Sequence, residues 1–204
     1  KFTKAKFQIY IVGGAVRDLL MGKDVSDWDF TTDAKPEEIL KLFPEGFYDN
    51  KFGTVGIPVN GKIYEITTMR KEGLYKDHRH PDKIGWTNKI EEDLGRRDFT
   101  INAIALSNDK IVDPFNGQDD IKNQIIRAVG DPNTRFQEDA LRLMRAIRIA
   151  TEVEFKIDDK TFNALKDNAN LIKEIAWERI RDELFKILAS QPDLKIIIFT
   201  HFPS

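Results

Sequence analysis

The sequence predicts an α+β fold: a mixed β-sheet with two or three helices, followed by an all-helical stretch. Three observations carry that prediction. β-branched and aromatic runs bounded by turn residues recur up to about residue 119, and helical periodicity replaces them afterwards. Asn60-Gly61 sits between two such runs, which is the strongest short-range hairpin signal. The chain's 204 residues, 41% hydrophobic and 32% charged, suit one ordinary domain or two small ones.

Residues 7–12 (FQIYIV) form a buried-strand pattern closed by Gly13-Gly14. Residues 15–21 then read as a short helix stopped by Gly22. Trp28, Phe30 and Thr32 alternate with Asp27, Asp29 and Thr31, the period-two signature of a strand. Pro36 and two acids open a helix that runs to Phe43. Residues 55–59 and 63–68 are the hairpin strands, and residues 70–89 dissolve into a long charged loop. An apolar segment follows at 99–106, a short strand at 111–114 and a turn at Asn116-Gly117. Helices are expected at 121–128, 134–150, 158–169 and 177–188, with a unit boundary near 120–135.

Composition narrows the function classes. The absence of cysteine removes disulfides, zinc ribbons and cysteine nucleophiles, and fits a reducing cytoplasm. No run of 18 apolar residues exists, and the strongest apolar cluster, Ile196 to Phe199, is too short to span a bilayer, so no membrane association is expected. The opening Lys1 to Phe7 leads into a strand pattern without a small-residue cleavage site and does not read as a signal peptide. The formal net charge of −2 hides local imbalance. Lys1, Lys4, Lys6 and Arg17 have no acid among them, and Arg135, Arg142, Arg145 and Arg148 face only Glu138 and Asp139. Such clusters suit a nucleic-acid face or a solvated helix equally, so composition leaves partners open.

Five groups of residues carry chemistry. Gly13-Gly14-Ala15-Val16-Arg17-Asp18 places a glycine pair and an arginine between a strand and a helix, either a phosphate cradle or a tight turn with a surface arginine. Asp27 and Asp29, two apart in a strand, face one side. Their carboxylates repel unless a cation sits between them, and Mg²⁺ binds one or two carboxylates together with substrate phosphates. The alternative is a solvent-facing polar edge. Glu65 lies among apolar residues of a strand expected to be central, as a third carboxylate of a metal site or a hydrogen-bonded rim residue. Arg96-Arg97 in residues 91–103 make either a triphosphate clamp or part of a salt-bridged cap, with Asp98 or Thr100 as the capping residue. In residues 138–148, Asp139 and Arg142 are three apart on an expected helix with a stripe of Leu143, Met144, Ile147 and Ala150. They are an intrahelical ion pair or a donor–acceptor set for a base edge, with Arg145 one step round and Arg148 about half a turn away.

VGGAVRD (12–18), DWD (27–29), EITTMR (65–70), EEDLGRRDFTINA (91–103), DPFNG (113–117) and EDALRLMRAIR (138–148) occur in this order across roughly residues 8–190. The set resembles the class II tRNA nucleotidyltransferases, or CCA-adding enzymes, and the related bacterial poly(A) polymerases. The resemblance implies a polymerase-β-like nucleotidyltransferase head at 1–130, followed by a helical neck at 131–204 truncated before body and tail. It gives Asp27 and Asp29 two Mg²⁺ ions, and Glu65, from its place in the strand, is the candidate for a further catalytic carboxylate. Gly13, Gly14, Arg17 and Arg97 would hold the triphosphate. Asp139 and Arg142 would read the base as a protein template, supported by Arg145 and Arg148. Attack by a tRNA 3′-hydroxyl on the α-phosphate of CTP or ATP would release pyrophosphate.

Asp77-His78-Arg79-His80-Pro81-Asp82 looks like the family's flexible-loop motif, with His78 where a glycine is usual. Its full length favours members that add the terminal A. The alternatives are a poly(A) polymerase, an A-only or CC-only relative, or a catalytically incomplete nucleotide-binding fragment. A haloacid-type phosphohydrolase fits Asp-x-Asp but not the preceding Gly-Gly-x-x-Arg-Asp. No feature calls for a protein partner.

Overall fold

The computed structural model describes residues 1–48, 53–73, 84–108 and 110–190. A 3-10 turn, Thr3–Ala5, precedes β1 (Ile9–Val12), α1 (Gly14–Leu20), β2 (Asp29–Thr32) and α2 (Pro36–Leu42). Next come β3 (Phe47–Tyr48), β4 (Thr54–Val59), β5 (Lys62–Thr68), β6 (Arg70–Glu72), β7 (Ile84–Trp86) and α3 (Ile90–Gly95). A 3-10 turn, Thr100–Asn102, leads into β8 (Ala105–Ser107), β9 (Lys110–Val112), α4 (Gly117–Asn123) and β10 (Ile125–Ile126). The remainder is α5 (Pro132–Glu138), α6 (Leu141–Val153), β11 (Lys156–Ile157), α7 (Asp159–Asp167), a 3-10 segment Ala169–Glu174 and α8 (Trp177–Ser190).

The main sheet has seven strands in the order β3-β4-β5-β2-β1-β8-β9. Every neighbouring pair is antiparallel except β2 and β5, which run parallel. The hairpin of β4 and β5 turns through Asn60 and Gly61, both at positive φ, with Val59 opposite Lys62. One parallel pair in the middle places Asp29 of β2 beside Glu65 of β5 at the same end of the sheet as the turn after β1.

Several expectations need correction. The stretch 70–89 is not loop at its ends, because β6 and β7 pair with Arg70 opposite Trp86. The Asp77–Asp82 motif lies outside the described residues, as does the Ile196–Phe199 cluster. Strands continue after residue 119, since β10 pairs in parallel with β11. The helix expected at 121–128 is instead α4, begun early by Asp113, whose carboxylate accepts the Gly117 and Gln118 amides. Gln124, at φ 57, ends it and releases the β-branched Ile125-Ile126 to a strand.

The helix expected at 134–150 is two helices, α5 and α6. Asp139 between them has extended backbone (φ −139, ψ 105), and its side chain accepts the Leu141 amide at 3.1 Å. That local bond gives the backbone an alternative to continuing the helix. The buried face of α6 is Leu143, Ala146, Ile149 and Val153, not the expected Leu143, Met144, Ile147 and Ala150.

The apolar core falls into separate clusters, one of which joins the segment after α3 to α6. Val12, Met69, Leu94, Ala103, Ala105 and Val129 pack together. Phe99 and Ile101 share a second cluster with Ala146, Ile149 and Val153 of α6. A polar lock runs beside it. Thr100 donates to Asp120 at 2.7 Å, Arg127 bridges Asp120 and Asp158, and Asp158 caps α7 through the Thr161 amide.

Gly117 marks how tightly the Thr100–Asn102 turn sits on α4. A β-carbon there would collide with the Thr100 carbonyl oxygen and lie 2.9 Å from the Ile104 side chain. Gly117→Ala is therefore expected to cost about 1–3 kcal/mol by overpacking. Urea unfolding checks this, and a midpoint equal to the parent's would contradict the packing.

Candidate active site

β1 delivers the chain to Gly13, whose φ of 73 and ψ of −142 suit only a residue without a β-carbon. Space imposes the same restriction. A β-carbon at Gly13 would lie 3.1 Å from Arg97 Nη1 and 3.4 Å from Asp29 Oδ2. The glycine is therefore a hollow between a guanidinium and a carboxylate. At the next residue, Gly14, a β-carbon would stand 3.6 Å from Arg17 Nη2. Arg17 is held by Asp18, which accepts its Nε at 2.8 Å, and by Asn102, whose Oδ1 accepts Nη1 at 3.2 Å.

Asp29 opens β2, whereas Asp27 lies in the bend before it, so only one of the pair is a strand residue. The two carboxylates still feel each other. Desolvation by surrounding protein, then the charge of Asp27, raises the Asp29 pKa above its ordinary value against opposing pulls from Arg97 and Arg145. Glu65 is opposite Asp29 in the β2–β5 register and is exposed rather than buried. Among the described residues, no group of three or more His, Cys, Asp or Glu is placed to hold a metal ion. The donor set is thus a carboxylate pair open to phosphate oxygens, which fits Mg²⁺ better than a closed protein cage.

Arg97 is the least satisfied group of the site. Its Nε is buried with no hydrogen-bond partner, and its ion pair with Asp93 is long, Nη2 to Oδ2 at 3.4 Å. Burial pushes the guanidinium below its ordinary pKa, while Asp93 and Asp29 push back. Its Nη1, which stands against Gly13 on the side that Asp29 also approaches, is suited to an anion with several oxygens.

Residues 93–98 are gripped from both sides. Asp93, wholly buried, accepts the Arg70 amide at 3.1 Å and Arg96 Nη2 at 2.9 Å. Arg135 donates to the Gly95 carbonyl at 3.1 Å, and Arg142 donates to the Arg96 carbonyl at 3.0 Å. Arg145 closes on Asp98 through Nε at 2.8 Å and Nη2 at 2.6 Å. Burial alone would raise the Asp98 pKa, but the Arg145 guanidinium overrides it and holds the carboxyl at about 2.

The expected base-reading set is arranged differently. Asp139 and Arg142 are not partners on one helix face, because the break falls at Asp139. Asp139 lies 3.5 Å from Arg179 of α8. Arg142 is buried and donates to Glu138 at 2.6 Å and to the Arg135 carbonyl at 3.0 Å. Arg148 points away, bonding Glu183 at 2.6 Å and Glu152 at 2.7 Å, and so ties α6 to α8. The structure therefore gathers Gly13, Gly14, Arg17, Asp27, Asp29 and Arg97, with Glu65 at the edge and Arg145 behind Asp98.

Asp93, Asp98, Asn102 and Glu138 were not singled out as site residues by sequence. Asp93 and Asp98 flank the arginine pair, and two acids beside two arginines were the signal available. Asn102 and Glu138 gave none, because an amide's or a carboxylate's partners depend on tertiary packing.

A mixed sheet with a glycine turn, a carboxylate pair and an arginine converging at one end, followed by helices, defines the nucleotidyltransferase fold class. Residues 9–127 match the family model for the poly A polymerase head domain, and residues 154–192 match the one described as a probable RNA and SrmB-binding site of polymerase A. The chain belongs to the poly A polymerase head-domain family. It is 51% identical over 185 residues to a CCA-adding enzyme of Lactobacillus helveticus, spanning 90% of this chain and 46% of that protein. The crystal structure of the Bacillus stearothermophilus CCA-adding enzyme in complex with CTP superposes with a TM-score of 0.84 at 41% identity, covering 92% of this chain and 46% of that one. The Thermotoga maritima CCA-adding enzyme complexed with tRNA gives 0.76 at 29% identity, covering 93% and 45%. The chain thus spans about half the length of the curated relatives it matches. Among the described residues, no helix is long and apolar enough to cross a membrane.

The Asp98–Arg145 pair predicts a pH dependence. Because the folded pKa is lowered from 3.8, ionised Asp98 stabilises the fold fully above that value and loses its contribution as pH falls through about 2. Linkage puts the contribution on the order of 2 kcal/mol. Urea unfolding of parent and Asp98→Asn is expected to show a gap at neutral pH that narrows on acidification. A pH-independent gap would contradict the assignment.

Proposed function

We propose that this chain carries the catalytic part of a CCA-adding tRNA nucleotidyltransferase, transferring nucleotidyl groups from CTP and ATP to a tRNA 3′ end. The observation that carries the reading is the convergence of Arg97, with its unpartnered Nε, on Asp29 across Gly13. Two chemistries meet there, a receptor for anionic oxygens and a carboxylate pair suited to a cation. The likeness to proteins described as CCA-adding enzymes supports the choice of substrate.

In this reading Asp27 and Asp29 hold Mg²⁺, with Glu65 beside them. The ions, when bound, lower the pKa of the attacking hydroxyl and neutralise charge on the triphosphate. Arg97 and Arg17 draw the β- and γ-phosphates over the Gly13-Gly14 turn, so that the α-phosphate lies beside the carboxylates. The tRNA 3′-oxygen forms the new bond to the α-phosphorus, and the bond to the leaving pyrophosphate breaks in line with it. Gly13 has no side chain because one would fill the space the phosphates cross. Asp139 and Arg142 read the base, backed by Arg145, and Arg148 supports them indirectly by tying α6 to α8 through Glu183. For Arg142 this means exchanging its bonds to Glu138 or to the Arg96 carbonyl for the base edge.

We divide the chain into a head at 1–130 and a neck from 131, and place the reaction in the cytoplasm, where tRNA and both nucleotides are supplied. The match of 154–192 to an RNA-binding model supports RNA as the acceptor. Poly(A) polymerase is the second reading, favoured by the head-domain match itself.

Incorporation on a tRNA lacking its terminus, with CTP and ATP supplied, separates the two. Addition is expected to stop after CCA, whereas an unlimited A tail would establish the second reading. Asp29→Ala should reduce transfer by about 100-fold or more, in line with losing a ligand of the catalytic metal. Its nucleotide affinity should stay within a few-fold of the parent. Turnover close to the parent's would remove Asp29 from the mechanism.

A further inference from the structure

Asn102 is buried in the 3-10 turn between α3 and β8. Its amide is placed between opposite charges. Oδ1 accepts Arg17 Nη1 at 3.2 Å, and Nδ2 donates to Asp98 Oδ1 at 3.4 Å. Arginine only donates and an ionised carboxylate only accepts, so a group joining them must offer both capacities. A carboxamide does so in one orientation; serine is too short to reach both, and leucine offers neither.

Asp98 is itself fixed. The Phe99 amide donates to its Oδ1 at 2.8 Å, and Arg145 of α6 holds its Oδ2. On the other side, Asp18 engages Nε and Nη2 of Arg17, which leaves Nη1 as the nitrogen that Asn102 steers. The result is a continuous polar path from α6 through Arg145, Asp98 and Asn102 to Arg17 at the Gly13-Gly14 turn.

We propose that Asn102 is a positioning residue for the incoming triphosphate: it orients the Arg17 guanidinium and references that orientation to the neck helix through Asp98. The inference rests on the reading of Arg17 as a triphosphate ligand and adds a residue that touches no substrate. Asn102 then sets triphosphate affinity without contributing to nucleoside binding.

The test is titration calorimetry of CTP and of CMP with Mg²⁺ against the parent, Arg17→Ala, Asn102→Ser and the double variant, each checked for folding by circular dichroism. Asn102→Ser is expected to weaken CTP about tenfold, the scale of a hydrogen bond to a charged group. CMP binding should be unchanged, and the serine substitution should have no further effect in the Arg17→Ala background. Asn102→Ala answers the same question if the serine variant does not fold. Equal weakening of CTP and CMP would show a general structural role and overturn the proposal, as would effects of the two substitutions that simply add. A loss with Arg17→Ala but none with a folded Asn102 variant overturns the inference alone. CTP affinity unaffected by Arg17→Ala overturns the reading of Arg17 and the inference with it.

Discussion

The site depends on one unresolved electrostatic conflict. Asp29 is partly desolvated beside Asp27, which raises its pKa even though Arg97 and Arg145 are near enough to pull it down. Arg97 is the mirror image, a buried cation with an unpartnered Nε and only a long bond to Asp93. The two groups approach across Gly13 without saturating each other. A metal-bound triphosphate suits both, since cations suit the carboxylates and phosphate oxygens suit the guanidinium.

Holding such a conflict in place requires a rigid surround, and the neck supplies much of it. Three arginines from α5 and α6 close on residues 95–98: Arg135 and Arg142 through backbone carbonyls, Arg145 through Asp98. The apolar contact of Phe99 and Ile101 with Ala146 and Ile149 fixes the same segment from below. The sheet contributes the rest, because the parallel β2–β5 pair and the turn after β1 bring Asp29 and Gly13 to one end. The helical part is thus a structural component of the candidate site as well as the proposed reader of the base. Arg142, the proposed base reader, is itself held between Glu138 and two carbonyls.

Much of this was legible in the sequence where local chemistry decides. The Asn60-Gly61 hairpin, the Pro36 helix start and the glycine turn before α1 follow from residues that permit few backbones. The triphosphate and metal candidates Gly13, Asp29 and Arg97 lie at or just beyond the ends of β1, β2 and α3, and Arg17 follows one turn into α1. Periodicity failed where side chains bond their own backbone. Asp139 takes the Leu141 amide and splits a helix that the apolar pattern runs straight through, and Asp113 starts α4 early in the same way. The pairing of β10 with β11 joins segments some thirty residues apart, beyond what a local pattern can report. Arg148 reads as a candidate ligand from its helix, but Glu183, brought in by α8, takes it instead.

The placement of metal and triphosphate beside Gly13 is the claim on which everything else rests. Its most direct measurement is paramagnetic broadening of backbone amide resonances by Mn²⁺, in the presence of a non-hydrolysable CTP analogue. The account predicts that broadening centres on Gly13, Gly14, Trp28 and Asp29 and disappears in Asp27→Ala/Asp29→Ala. Broadening centred elsewhere, or unchanged by loss of both carboxylates, would contradict it.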